Sequence, residues 1–247
     1  MADLNNDTLS KATKRISQMA NQIQSQDILS QLQPVETKSL ASSHLVISKY
    51  ANGCGHIHLN RPKALNSLTL EMFYDMLKVL DQWKNDSSVH CVVVTGEGRA
   101  FSAGGDLKQF VSEEGRKAFA QAEYALDCVI HYYNKPYVSL IHGIVMGGGA
   151  GVSINGKYRV ANENIVFSMP ECSIGYFTDV GAGHFFTAYP PGEVGTFLAL
   201  TAHRANAVDS LYAGIITHYV PAAKWGDLKA AFFQGELKNG FASVDDI

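Results

Sequence analysis

Most of the short signatures that announce a chemistry are missing from this chain. Its four cysteines, Cys54, Cys91, Cys128 and Cys172, form no CxxC pair. That removes the dithiol and zinc-ribbon patterns and leaves free thiols of a reducing compartment as the expectation. The nine histidines include no HExxH and no tight ligand cluster, so no metal site is expected. No GxxxxGK[ST] occurs, and "MGGGAG" does not satisfy GxGxxG, which disfavours a phosphate cradle. The nearest approach to a GxSxG elbow is "GVSING", where two residues separate Ser153 from the next glycine. Charged residues are only 17% of the chain, with a net charge of −3 and no basic block. A generic nucleic-acid face is therefore not expected. No apolar run reaches the length of a membrane span.

Hydrophobic residues make up 46% of the 247, enough for a sizeable core. Residues 1–43 differ in composition: rich in Ser, Asn and Gln, poor in aromatics, without a secretory core. They read as a mobile polar leader ahead of one domain, 44–247. Asp3, Asp7 and Asp27 are at odds with an Arg-rich, acid-poor transit peptide.

From Ser43 onwards the pattern is strand, glycine loop and helix, repeated. "HLVISKYANGCGHIHLN" reads as two short strands around a Gly turn. "LTLEMFYDMLKVLDQW" is a helix with Met72, Phe73, Met76, Leu77, Leu80 and Trp83 on one face. "HCVVVTGEG" and "KPYVSLIHG" are buried strands, "RKAFAQAEYALDCVIHYY" a long helix, and "KYRVAN" and "IVFSMPE" further strands. Three helical stretches follow, "VGAGHFFTAY", "TFLALT" and "AVDSLYAGI". This is α/β grammar with parallel pairing and right-handed crossovers.

Two segments are read as glycine loops between a strand and a helix: "AFSAGGD" (100–106) and "MGGGAG" (146–151). Such loops place unpaired backbone N–H groups at helix starts and can aim two of them at one oxygen. Close packing of two tight bends explains the glycines equally well. His142 beside the second loop suits a local hydrogen bond, and His56 and His58 on a strand face suit structural roles. Carboxylates supply the remaining signal. Glu171 follows Pro170, and Asp179 stands eight residues later in an apolar, aromatic stretch. A buried carboxyl has a raised pKa and suits acid–base work. The bland alternatives are an exposed Glu171 at a strand end and an Asp179 that caps a helix beginning at Val180.

Taken in order, "LNRPKALNSLTLEM", "VVVTGEGRAFSAGGDLKQF", "KPYVSLIHGIVMGGGAG", "FSMPECSIGYFTDVGAG" and "AGIITHYV" resemble the crotonase (enoyl-CoA hydratase/isomerase) superfamily over roughly 43–220. Within it, the run from "MGGGAG" through "TDVGAG" is most similar to 3-hydroxyisobutyryl-CoA hydrolases. The resemblance implies an α/β spiral of ββα repeats that holds an acyl-CoA between the two glycine segments. By motif position the oxyanion N–H groups are those of Gly105 and Gly148. Glu171 and Asp179 are then catalytic, Glu123 reads the substrate's hydroxyl group, and Arg61 and Lys63 are candidates for the CoA phosphates. A hydratase of the superfamily carries a second glutamate where this chain has Gly151, which disfavours water addition. The implied reaction is hydrolysis of 3-hydroxyisobutyryl-CoA in valine breakdown, in the mitochondrion, with no metal or redox cofactor. Two departures accompany it. Thr178 stands where the family usually has proline, and the chain stops at Ile247, short of the family's C-terminal helical part. They keep open the alternative of a non-catalytic structural subunit, for example of a mitochondrial ribosome; a hydratase or isomerase is a further alternative, weakened by Gly151.

Overall fold

A computed structural model describes residues 43–234 of the chain. Residues 1–42, all but the last position of the polar segment 1–43, and the last thirteen positions, 235–247, lie outside the described residues.

The strands are β1 (Leu45–Lys49), β2 (Cys54–Leu59), β3 (Cys91–Gly96), β4 (Ala100–Ser102), β5 (Tyr137–Ile141), β6 (Ile144–Met146), β7 (Tyr158–Ala161), β8 (Val166–Ser168) and β9 (His218–Tyr219). The helices are α1 (Leu70–Lys84), α2 (Glu113–His131), α3 (Gly148–Ile154), α4 (Ala182–Ala188), α5 (Val194–Thr201), α6 (Ala207–Tyr212) and α7 (Trp225–Gln234). The larger sheet runs β1-β2-β3-β5-β7-β9. Only its first pair, β1 with β2, is antiparallel; the other neighbours are parallel. β3, "CVVVTG", is buried along its whole length, as a parallel strand covered on both faces must be. Cys54 and Cys91 face each other across β2 and β3 as free, buried thiols.

The second sheet is small, parallel and ordered β4-β6-β8. After β1 and β2, which both join the large sheet, the strand pairs β3–β4, β5–β6 and β7–β8 each send the first strand into the large sheet and the second into the small one. Sequence patterning reads β4 and β6 as glycine loop. They are three-residue strands, too short to show an alternation. Most of "GGGAG" is likewise not loop: Gly148, Gly149 and Gly151 lie inside α3, and Gly147 alone precedes it.

Local chemistry accounts for the helices that frame the site. Thr69 caps α1 by accepting from the Met72 N–H, and Met72, Phe73, Met76, Leu77, Val79, Leu80 and Trp83 are buried. Ser112 caps α2 by accepting from the Gly115 N–H, and Phe119, Ala122, Glu123, Leu126, Asp127 and Ile130 are on its buried side. Two acids on a buried helical stripe are the anomaly that leads to the site.

Candidate active site

The three strands of the small sheet end side by side, and each delivers one element of the site from its carboxyl end. Beyond β4 comes Gly105, beyond β6 comes Gly148, and beyond β8 comes Glu171 on a 3-10 turn, Glu171–Ile174. They line one cavity of about 380 Å³ together with Glu123 and Tyr124 of α2 and Asp179. Phe110, Phe119 and Ala120 add an apolar wall.

The loop bearing Gly105 is braced by the segment before α1. The Leu68 N–H donates to the Gly104 carbonyl (2.8 Å) and the Asp106 N–H donates to the Leu68 carbonyl (2.8 Å). Those bonds clamp the chain on both sides of Gly105 and leave the Gly105 N–H out of the bridge. Asn66 is fully buried; its amide donates to the carbonyls of Glu97 and Ala100 (2.9 and 2.8 Å). Arg61 belongs to the same brace. Its guanidinium pairs with Asp106 at 2.7 Å and donates to the Ser67 carbonyl and hydroxyl. The sequence places Arg61 and Lys63 as candidates for CoA phosphates. In the fold Arg61 faces Asp106, Lys63 is exposed on a 3-10 turn, and neither lines the cavity.

Gly148 opens α3, so its N–H has no intrahelical acceptor. A Cβ at this position would lie 2.2 Å from Glu123 Oε1 and 3.3 Å from the Gly105 nitrogen. Any side chain here would drive into the acid or close the gap between the two N–H groups. At Gly151 a Cβ would lie 2.6 Å from Asp127 Oδ1 and 2.9 Å from the Cβ of Val180. The space that a residue 151 side chain would need is thus filled by α2 and by the turn after Asp179.

The site is acidic and poorly solvated. Glu171 is buried, not exposed at a strand end; one of its oxygens, Oε2, has no hydrogen-bond partner. Burial and the nearby charge of Asp179 push its carboxyl up to about 7, against the pull of its own backbone N–H. Glu123 is buried as well, not a solvated helix residue, and burial with the charges of Asp179 and Glu171 pushes it up to about 8. Asp179 does not cap α4, which begins at Ala182 with no side-chain cap. Its Oδ2 accepts the Tyr124 hydroxyl at 2.7 Å. Burial raises its carboxyl, and that hydrogen bond opposes the rise.

Two residues of the site escaped the sequence reading. Tyr124 is 55 positions from the Asp179 it touches. Asp127 is buried with both carboxyl oxygens unpartnered, and burial, Glu123 and Asp179 raise its pKa well above the ordinary value. The one signal for Asp127 was its i+4 spacing from Glu123 on a helix that buries that face.

The histidines take the local roles expected of them. His56 and His58 share the Thr95 hydroxyl (2.8 and 2.7 Å), and His142 Nε2 lies 2.8 Å from the Gly98 carbonyl. Among the described residues no group of three or more His, Cys, Asp or Glu could hold a metal ion, and no helix is long and apolar enough to cross a membrane.

Comparison with known proteins agrees with this geometry. The mitochondrial 3-hydroxyisobutyryl-CoA hydrolase of Danio rerio is 44% identical over 193 residues, 75% of this chain and 50% of that protein. The Homo sapiens protein of the same name is 40% identical over 220 residues, 81% of this chain and 57% of that one. The chain thus spans about half the length of the curated relatives it matches. Among solved structures, an enoyl-CoA hydratase from Rhodobacter sphaeroides superposes with a TM-score of 0.74 at 38% identity, covering 78% of this chain and 59% of that one. A carnitinyl-CoA dehydratase from Mycobacterium thermoresistibile gives the same TM-score and identity over 78% of this chain and 58% of its own. The family model described as enoyl-CoA hydratase/isomerase matches residues 54–247, and the chain belongs to that family.

Proposed function

We propose that this chain hydrolyses a short 3-hydroxyacyl-CoA thioester, 3-hydroxyisobutyryl-CoA in the first instance, to the free acid and CoA. The observation that carries the reading is the composition of one cavity. Gly105 and Gly148 line it with Glu171 and Asp179, while position 151 holds no acid and has no room for one.

The thioester carbonyl lies between the two N–H groups, which stabilise the oxyanion as it develops more than they stabilise the neutral carbonyl. Glu171 acts on the carbonyl carbon directly or by taking a proton from the attacking water. In either route the C–S bond breaks, the CoA sulfur leaves with a proton, and water supplies the new acid oxygen. Asp179 manages that proton. Glu171 titrates near 7, so a useful fraction is ionised at neutral pH without the group being a weak base. Glu123 is largely protonated at neutral pH and offers the substrate's 3-hydroxyl both a donor and an acceptor. This scheme names no metal or redox group: the oxyanion is met by the two N–H donors, and the charge that builds on the departing sulfur is met by the proton that Asp179 manages. The mitochondrial names of the relatives support a mitochondrial setting.

Free-thiol release from 3-hydroxyisobutyryl-CoA tests the reading. The wild-type chain should release thiol in the presence of a chelator, and Glu171→Gln should abolish release while leaving acyl-CoA binding intact. Equal turnover in the variant removes Glu171 from the chemistry. Trapping with hydroxylamine then separates an acyl-Glu171 anhydride from water activated by Glu171.

A further inference from the structure

The turn that presents Asp179 is held by two side chains to which the sequence assigned no role. Val180, a β-branched residue, sits at φ +46, and Gly181 follows at φ +86. A left-handed valine is strained and persists only where its surroundings over-determine it. Here the Ala182 N–H donates to the Asp179 carbonyl at 2.7 Å. The Asn155 amide, at the end of α3, donates both to the Gly151 carbonyl (2.9 Å) and to the Val180 carbonyl (3.2 Å). Val180 itself is buried against Gly151. The oxyanion helix and the aspartate turn are thereby one rigid unit.

That unit fixes the backbone of Asp179 but not its carboxylate. Thr178 before it supplies none of the φ restriction a proline would. Three other acids share its surroundings, Glu123 and Asp127 from α2 and Glu171 from the turn after β8, and burial together with the Asp179 charge raises all three. The Tyr124 hydroxyl, 2.7 Å from Oδ2 and with the Tyr176 phenol beside it, favours the charged form, and so does the backbone N–H of Asp179 itself. Tyr124 adjoins Glu123 on α2 and lines the same cavity.

We propose that Tyr124 is a positioning residue for Asp179: its hydroxyl ties the carboxylate to α2 and sustains its charged form among three other acids, while Asn155 locks the turn beneath it. The assignment deepens the thioesterase reading and rests on it for its catalytic consequence. The tie itself is a property of the fold and can be read without turnover.

The experiment uses the full chain in four forms: wild type, Tyr124→Phe, Asp179→Asn and the double variant. Phenylalanine keeps the ring and its packing, and circular dichroism checks that each form folds. In carboxyl-labelled protein the Asp179 resonance is identified by its loss in Asp179→Asn. Its titration midpoint should move to higher pH in Tyr124→Phe, because a donor to the charged form is gone. An unmoved midpoint overturns the proposal. In the thiol-release assay Tyr124→Phe should lower kcat about ten- to hundredfold with KM within about twofold, the range expected for a hydrogen bond to a charged group. The acid limb of kcat/KM should shift upward in step with the midpoint. In the Asp179→Asn background the Tyr124→Phe change should have no further effect. A further loss of the same size there would show that Tyr124 acts on the substrate instead, which also overturns the proposal. If the wild type releases no thiol, the hydrolase reading fails, and the midpoint shift still decides the tie.

Discussion

Glu123 and Asp127 lie one helical turn apart on α2 and are treated differently by the fold. Glu123 lines the cavity and stands against Gly148, so a ligand reaches it; Asp127 is sealed behind it between Gly151 and Val180. Because Glu123 is held up to about 8 by burial and its acidic neighbours, its working form at neutral pH is the neutral acid. Glu123→Gln, also neutral and also a donor, should therefore keep the preference for a 3-hydroxyacyl over a plain acyl chain. Glu123→Ala should lose it by about two- to tenfold, the worth of one neutral hydrogen bond. Paired kcat/KM values for 3-hydroxyisobutyryl-CoA and isobutyryl-CoA measure this. An equal loss on both substrates would remove Glu123 from hydroxyl recognition. The family resemblance singles out Glu123, whereas Tyr124 and Asp127 have no motif to announce them. A contact across 55 residues leaves no local pattern to read.

Elements place the N–H groups of the proposed oxyanion hole, and they do so through strands too short to be read from patterning. β4 and β6 each have three residues, yet their parallel pairing brings Gly105 and Gly148 to the same end of one sheet. The segment before α1 then holds the Gly105 loop from outside through Leu68, Asn66 and the Arg61–Asp106 pair. Burial alone would raise the Asp106 carboxyl; Arg61, together with the backbone N–H and charge of Lys108, outweighs this and keeps it below its ordinary value. The consequence separates two roles for Arg61. As part of the brace, Arg61→Ala should lower kcat about tenfold with little change in KM, since about 1.4 kcal/mol of lost oxyanion alignment is enough. As a phosphate contact, the same change would raise KM for the CoA ester and spare kcat. Steady-state kinetics on the full ester and on a truncated pantetheine thioester distinguish them.

For the whole molecule, the acid cluster and the half-buried His56 pull stability in opposite directions along the pH axis. Burial and acidic neighbours hold Asp127, Glu123 and Glu171 above their unfolded values. From about pH 4 upward the unfolded chain has released protons that the folded chain still holds, so each of these groups destabilises the fold as pH rises. His56 behaves the other way. Burial, with His58 and Lys229 nearby, lowers its pKa from 6.5 to about 4, so its contribution is intact above 6.5 and is lost as pH falls towards 4. Asp127→Asn removes one proton-binding group without changing shape. Its Tm should exceed that of the wild type at pH 8, and the gap should close as the pH is lowered to about 4. Thermal unfolding of both proteins across this range measures it; a gap that does not vary with pH would mean that Asp127 is not a titrating burden.

What the sequence by itself determined is what local chemistry writes. The amphipathic faces of α1 and α2, the buried strands β3 and β5, the parallel order and the positions of Gly105, Gly148, Glu171 and Asp179 were all legible, the last four through ordered motifs. Tertiary structure alone decided which of these residues meet and in what state. It split the repeats between two sheets, drew most of "GGGAG" into a helix, turned Arg61 inward to Asp106, and filled the side-chain space of position 151 with Asp127 and Val180. The physical reason is the same in each case. Periodicity reports the faces of single elements, while hydrogen bonds and desolvation depend on neighbours that the chain brings together from distant positions.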